Sequence, residues 1–299
     1  MTAVMVASLF RFDNHAQSTV GVDSDLKPSA HNSRENRHHR RHKQRWTKRL
    51  RNFLTWLVIA TIRFVIDGLA ANLQTIIEWL LRRTVRRCYH VKHCAYGSGW
   101  REVCDVITPR QLDATKPSIV YIHGGAWIIV SKDLMRPYVT YLARKGGYRV
   151  FNADYPLSPE TRFPTALIST LRLLHWIKTE YHQDEVILMG DSAGASQAVL
   201  AANLLENRAF LEELAAVAQM PELLTWKFPR ISKLCVLYGL FDGGLTLRAP
   251  TLAARACRAI VDLHRDETIF EGRCTPLDFA HHFSDKFPRT CIMTGSYDS

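Results

Sequence analysis

Two short glycine-bearing motifs constrain this 299-residue chain more than anything else in it. One is His123-Gly124-Gly125-Ala126-Trp127. The other is Gly190-Asp191-Ser192-Ala193-Gly194, with Ser192 69 positions beyond His123. Each follows a short apolar run, 118–122 and 185–189, that reads as a buried strand. After the second motif the chain passes at once into residues 193–205, which have helical patterning. Further strands are expected at 91–95, 102–108, 148–153, 233–238 and 290–293, with an amphipathic helix at 165–181. Strands separated by helical stretches predict an α/β fold: a mostly parallel sheet with helices on both faces. Residues from about 240 to 288 contain helix and little strand, and an excursion of that length over the sheet suits a helical lid.

The charge of the chain lies away from these motifs. The net charge is +11, yet nine Lys or Arg fall between Arg34 and Arg51 beside a single acid, Glu35. Residues 1–51 are polar and basic, and read as a disordered arm that cannot bury enough apolar surface to offset chain ordering. The tract lacks interleaved aromatics apart from Trp46, so a solvated arm is expected and no nucleic-acid partner. Residues 52–88 are apolar and helical in pattern, with Arg63, Asp67, Gln74 and Glu78 on one narrow arc. The uncharged run 52–62 is eleven residues, short of the ~20 that span a bilayer. Three placements fit this segment: lying in a membrane interface, serving as a poor signal anchor, or packing on the domain as part of a lid. The expected address is a membrane, with the endoplasmic reticulum among the candidates and the cytoplasm as the alternative. Seven widely spaced cysteines indicate no disulfide framework. Cys88, His90, His93 and Cys94 crowd together, but no second pair sits at zinc spacing. No metal and no cofactor is expected.

The chemistry follows from the motifs. A serine hydroxyl is a poor nucleophile until a base takes its proton and donors receive the charge that forms on the attacked carbonyl. Glycines two before and two after Ser192 permit a sharp strand-to-helix turn that exposes the hydroxyl. Gly125 and Ala126, with Ala193 at the helix start, supply main-chain N–H groups for an oxyanion hole, and Gly124 supports them. His123 reads as a structural residue of the loop rather than a base.

From about residue 89 to 299 the chain resembles an α/β-hydrolase of the hormone-sensitive-lipase-like esterase family, which includes arylacetamide-deacetylase-like enzymes. The resemblance rests on the two motifs together with Asp154-Tyr155-Pro156-Leu157-Ser158-Pro159-Glu160 and Thr294-Gly295-Ser296-Tyr297-Asp298, all in family order. Ala126 stands where the family often has a third glycine. The resemblance implies a serine hydrolase of lipophilic carboxylic esters, with Ser192 as nucleophile and Asp298 as the acid. It also implies a histidine some tens of residues past the acid, whereas only Ser299 follows Asp298. The chain is therefore expected to be an incomplete form, lacking the final strand and the His loop, and inactive or nearly so. His281 and His282 precede the acid and are not expected to replace the base. Two alternatives stay open: a non-catalytic small-molecule-binding protein on the same scaffold, as in the gibberellin receptors, and an amidase or deformylase.

Overall fold

The computed structural model describes residues 50, 53–66, 68–69, 72–73, 75–77, 79–80, 87–242 and 252–294. The expected basic arm (1–49 in particular), Asp67, Gln74, Glu78 and Asp298 lie outside the described residues. Seven strands form one sheet among them: β1 (Cys88–Ala95), β2 (Val103–Pro109), β3 (Ser118–Ile122), β4 (Val150–Ala153), β5 (Glu185–Asp191), β6 (Arg230–Leu237) and β7 (Arg289–Met293). Their spatial order is β1-β2-β4-β3-β5-β6-β7. β2 runs antiparallel to both β1 and β4, and every pairing from β4 to β7 is parallel. β3 and β4 are buried at every position, as central strands of a sheet covered on both faces should be.

The helices are α1 (Lys132–Gly146), α2 (Thr165–Glu180), α3 (Ala193–Glu206), α4 (Arg208–Val217) and α5 (Leu252–His264). One face of the sheet is covered by α1, with Val139 and Ala143 packing on Ile119, Tyr121 and Val150. The other is covered by α2, α3 and α4, where Leu171, Leu174, Ala198, Leu204 and Leu214 meet Val120, Leu188 and Val236. From Ala193 to Leu204 every residue of α3 is buried, so its apolar character on all sides reflects enclosure between sheet and helices. α1 was not expected from the sequence. Its Lys132 and Arg136 are buried rather than solvent-facing, because both pair with the buried Asp105 of β2, at 2.9 and 2.8 Å. Burial pushes the Asp105 carboxyl up, but Lys132 and Arg136 outweigh it and hold it below its ordinary value. α1 ends where Gly147 takes φ 72° and returns its N–H to Ala143, a turn that needs glycine.

Two features position the site. Ile122 and Gly190 are register partners on adjacent parallel strands, so the chain leaves β3 and β5 side by side at their carboxyl ends. From there β3 returns through α1 on one face and β5 through α3 on the other, which opens a crevice at that edge. The region expected as a lid contains α5 and two 3-10 turns, Phe270–Gly272 and Pro276–His282. β1 starts earlier than its alternation suggested and takes up Cys88, His90, His93 and Cys94.

The described positions between 53 and 80 are helical. Among the described residues no helix is long and apolar enough to cross a membrane. Residues 55, 58, 59, 60, 62, 63 and 66 of this helix are buried or half-buried, most of them in one stripe at 3- and 4-residue spacing. Arg63 lies on that stripe, so the one polar residue of the expected arc that is described faces the domain.

Candidate active site

Ser192 sits at the junction of β5 and α3 with φ 50° and ψ −119°, a backbone state that non-glycine residues rarely occupy. Three main-chain approaches enforce it. A Cβ on Gly190 would lie 2.5 Å from the Gly194 carbonyl oxygen, and one on Gly194 would lie 2.2 Å from that of Ile122. The Ser192 N–H donates to the Leu237 carbonyl at 2.9 Å, which pins the turn to the end of β6. The side chain is half-buried, and no described side chain is hydrogen-bonded to its hydroxyl.

The loop after β3 is more unusual. Gly125, Ala126, Trp127 and Val130 all have positive φ, at 106°, 56°, 60° and 75°. Gly125 admits no side chain, since a Cβ there would meet the Ile129 carbonyl oxygen at 2.1 Å. Gly124 differs from its neighbours in one respect: its N–H donates to Asp191 Oδ1 at 2.9 Å. Gly124 was expected to support the oxyanion donors, and with its proton committed to Asp191 it shapes the loop. Asp191 also accepts from the Tyr121 hydroxyl at 2.7 Å, which fixes the carboxylate. Among the described residues nothing accepts from the N–H groups of Gly125, Ala126 or Ala193.

His123 is fully buried, with Nδ1 2.6 Å from the Gly124 carbonyl and Nε2 3.2 Å from Asp154 Oδ1. Its ring stacks on Tyr155 at 4.4 Å, and the Tyr155 hydroxyl donates to the His123 carbonyl. Burial pushes Asp154 up, but His123, Arg101 and the Lys132 amide outweigh it and hold its carboxyl below the ordinary range. Arg101 donates to the carbonyls of Tyr155 and Val130, at 3.1 and 2.6 Å. The 154–160 turn thus braces the loop from below. Ser158 adds an N–H to the Trp127 carbonyl at 2.7 Å and a hydroxyl 3.0 Å from His264 Nδ1. His264 stacks on Trp127 at 4.5 Å, and burial alone pulls its pKa down to about 3, so it is neutral at pH 7. His282 packs on Phe210 near Glu213. The described residues therefore bring Ser192 and the 125–126 segment together at one crevice. Arg101 and His264 were not foreseen, nor were the contacts of Arg63 and Tyr155 with the loop, because each acts across a long stretch of chain.

A cavity of about 240 Å³ opens at this edge, lined by Ala126, Trp127, Ser192, Ala193, Leu240 and Ile260 among others. Residues 119–299 match the family model for the alpha/beta hydrolase fold. The chain belongs to the alpha/beta hydrolase fold family. Among curated proteins it is similar to the acetyl esterase of Salmonella typhi, 30% identical over 120 residues that are 38% of this chain and 37% of that one. It is also similar to the ethyl acetate hydrolase of Pseudomonas putida, 30% identical over 142 residues, or 45% of this chain and 42% of that one. The chain thus spans less than half the length of these curated relatives. Among solved structures, a bacterial heroin esterase superposes with a TM-score of 0.55 at 18% identity, over 77% of this chain and 71% of that one, a likeness of fold.

Proposed function

We propose that this chain is a serine hydrolase of carboxylic esters. Ser192 would attack the ester carbonyl, and the N–H groups of Gly125, Ala126 and Ala193 would take the oxygen as it becomes negative. One observation carries the reading: Ala126, Ser192 and Ala193 line a single cavity, and the three main-chain donors have no acceptor among the described residues. Each such donor is worth about 3 kcal/mol to a transition state of this kind. The lining is largely apolar, which suits the acyl part of a lipophilic ester, and about 240 Å³ suits a short one. That two of the matched relatives are named as acetyl esterase and ethyl acetate hydrolase supports the choice of ester over amide.

Among the described residues no histidine is hydrogen-bonded to Ser192. His123 is committed to the loop, His264 is buried and neutral, and His282 lies against Phe210. We assign the role to a histidine oriented by Asp298 that is not among the described ones. A chain without it would fall short by several orders of magnitude, while the donors and binding would still leave roughly 10³- to 10⁴-fold over water. A fluorophosphonate probe on the folded full chain tests this. Slow labelling at Ser192, abolished in Ser192→Ala, is the expected result. Folded protein that stays unlabelled would sink the enzyme reading and favour the second one, a non-catalytic binder on the same scaffold. That reading draws on the lack of any described side chain hydrogen-bonded to the Ser192 hydroxyl.

The helix between 53 and 80 supports a membrane surface as the partner. Phe64, Leu69, Ile76, Trp79 and Leu80 are each more than half exposed. The sequence flanks them with Arg34–Arg51 on one side and Arg82, Arg83, Arg86 and Arg87 on the other, which complement anionic headgroups. Flotation on phosphatidylserine liposomes should be lost when Phe64 and Leu69 are both changed to Glu. Equal flotation of the double variant removes the helix from the argument.

A further inference from the structure

We propose that Arg63, on the N-terminal helix outside the sheet domain, is a positioning residue for the main-chain donors beside Ser192. The proposal rests on the reading that Gly125 and Ala126 supply those donors. The 125–130 loop holds four residues with positive φ, and Val130 is β-branched, the side-chain type for which φ 75° is least tolerable. Such a backbone persists only when its surroundings over-determine it. Its outward carbonyls show how that is done. The Trp127 carbonyl accepts from Ser158 N, and the Val130 carbonyl from Arg101. Between them, the Ile128 carbonyl accepts from Arg63 Nε.

The same guanidinium reaches further. Arg63 donates through Nη2 to the Ser158 carbonyl and through Nη1 to Glu160. Ser158 is the residue whose N–H holds Trp127, so one planar group ties together both segments that brace the donors. Glu160 keeps that group in place. Burial works to raise the Glu160 carboxyl, but Arg63 overcomes it and holds the acid ionised. A guanidinium is suited to this, because its fixed fork of donors meets several acceptors at once. Ile59, the best-buried large apolar residue of the described helix, and the half-buried Ile62 dock the same stripe and deliver Arg63 to the loop. The helix is thereby part of the site rather than an appendage to it.

The test compares full-length wild type with Arg63→Ala by hydrogen–deuterium exchange and by hydrolysis of p-nitrophenyl butyrate, scaled to the fraction folded. Amides 124–130 should exchange about tenfold faster in the variant while β5 and β6 stay unchanged, and added guanidinium should restore the protection. Turnover should fall about tenfold with KM within roughly twofold, since donors aimed at the transition state act on kcat. Unchanged loop exchange, exchange that rises evenly through the sheet, or faster loop exchange with unaltered kcat each overturns the proposal. A folded wild type whose Ser192 takes no fluorophosphonate label defeats the esterase reading alone, and the exchange measurement still decides whether Arg63 holds the loop.

Discussion

The two turns that meet at the crevice are both strained, and they are held by different mixtures of contacts. The Ser192 turn is fixed by main chain against main chain: Gly190 against Gly194, Gly194 against Ile122, and the Ser192 amide against Leu237. Only the absence of side chains allows these approaches. The 124–130 loop has main-chain contacts of its own, Gly125 against Ile129 and the Ser158 amide on Trp127, but adds side chains that arrive from elsewhere: Asp191 on Gly124, Tyr155 on His123, Arg101 on Val130, Arg63 on Ile128 and His264 on Trp127. The first kind of rigidity has no adjustable parts. The second includes groups that can be titrated, displaced or substituted one at a time, so the proposed nucleophile sits on the less adjustable turn and two of its proposed donors, Gly125 and Ala126, on the more adjustable one.

Adding a single methyl group should break the first turn outright. In Gly194→Ala the new Cβ would lie 2.2 Å from one carbonyl oxygen and 2.5 Å from the next, both main chain and unable to swing aside. Urea unfolding should show a loss of about 3 kcal/mol, or the variant should fail to accumulate as folded protein. A cost below about 0.5 kcal/mol would mean that the turn can relax, and the contrast between the two turns would be lost.

That contrast also explains what was legible in the sequence. Gly190, Gly194, Gly124 and Gly125 announce close main-chain approaches, and the apolar runs before them announce β3 and β5, so the elbow and the parallel sheet could be read locally. α1 could not, because Lys132 and Arg136 look like surface residues until Asp105, more than twenty-five positions earlier, is known to face them. Gly124 was read as a support for the donors, and nothing near it signals that Asp191 takes its proton. Arg63 was seen only as part of a polar arc, and the arc does not say which way it points. Long-range polar partners leave no periodicity behind, and the loop is made of them.

A smaller effect sharpens the comparison through pH. His264 is buried and stacked on Trp127, and burial holds its pKa at about 3 against an ordinary value near 6.5. Above about pH 6.5 neither the folded nor the unfolded state binds a proton there, and the fold keeps its full stability. As pH falls from 6.5 toward 3 the unfolded state binds the proton and the folded one does not, so stability is lost across that window. Between pH 7 and pH 5 the loss should be about 2 kcal/mol. Asp105 and Asp154, also held below their ordinary values, add their own loss only as pH drops under about 4. His264→Gln should flatten most of the slope between pH 7 and 5. The same slope in wild type and variant would show that another group carries it.

The smallest effect on overall stability is expected where the functional effect is local. The Arg63–Glu160 pair is partly solvated, with the Glu160 side chain 41% exposed, and pairs of this kind contribute below about 1 kcal/mol. The two carbonyls released in Arg63→Ala belong to the buried residues Ile128 and Ser158, and the space left by the truncated side chain gives water a route to replace the lost donors. Thermal or urea unfolding of Arg63→Ala should therefore move by less than about 1 kcal/mol while the loop amides lose protection. A global loss above about 2 kcal/mol would place the helix in the same cooperative unit as the sheet. The loop would then be as firmly built as the elbow, by other contacts, and the division between a rigid Ser192 turn and an adjustable 124–130 loop would have to be abandoned.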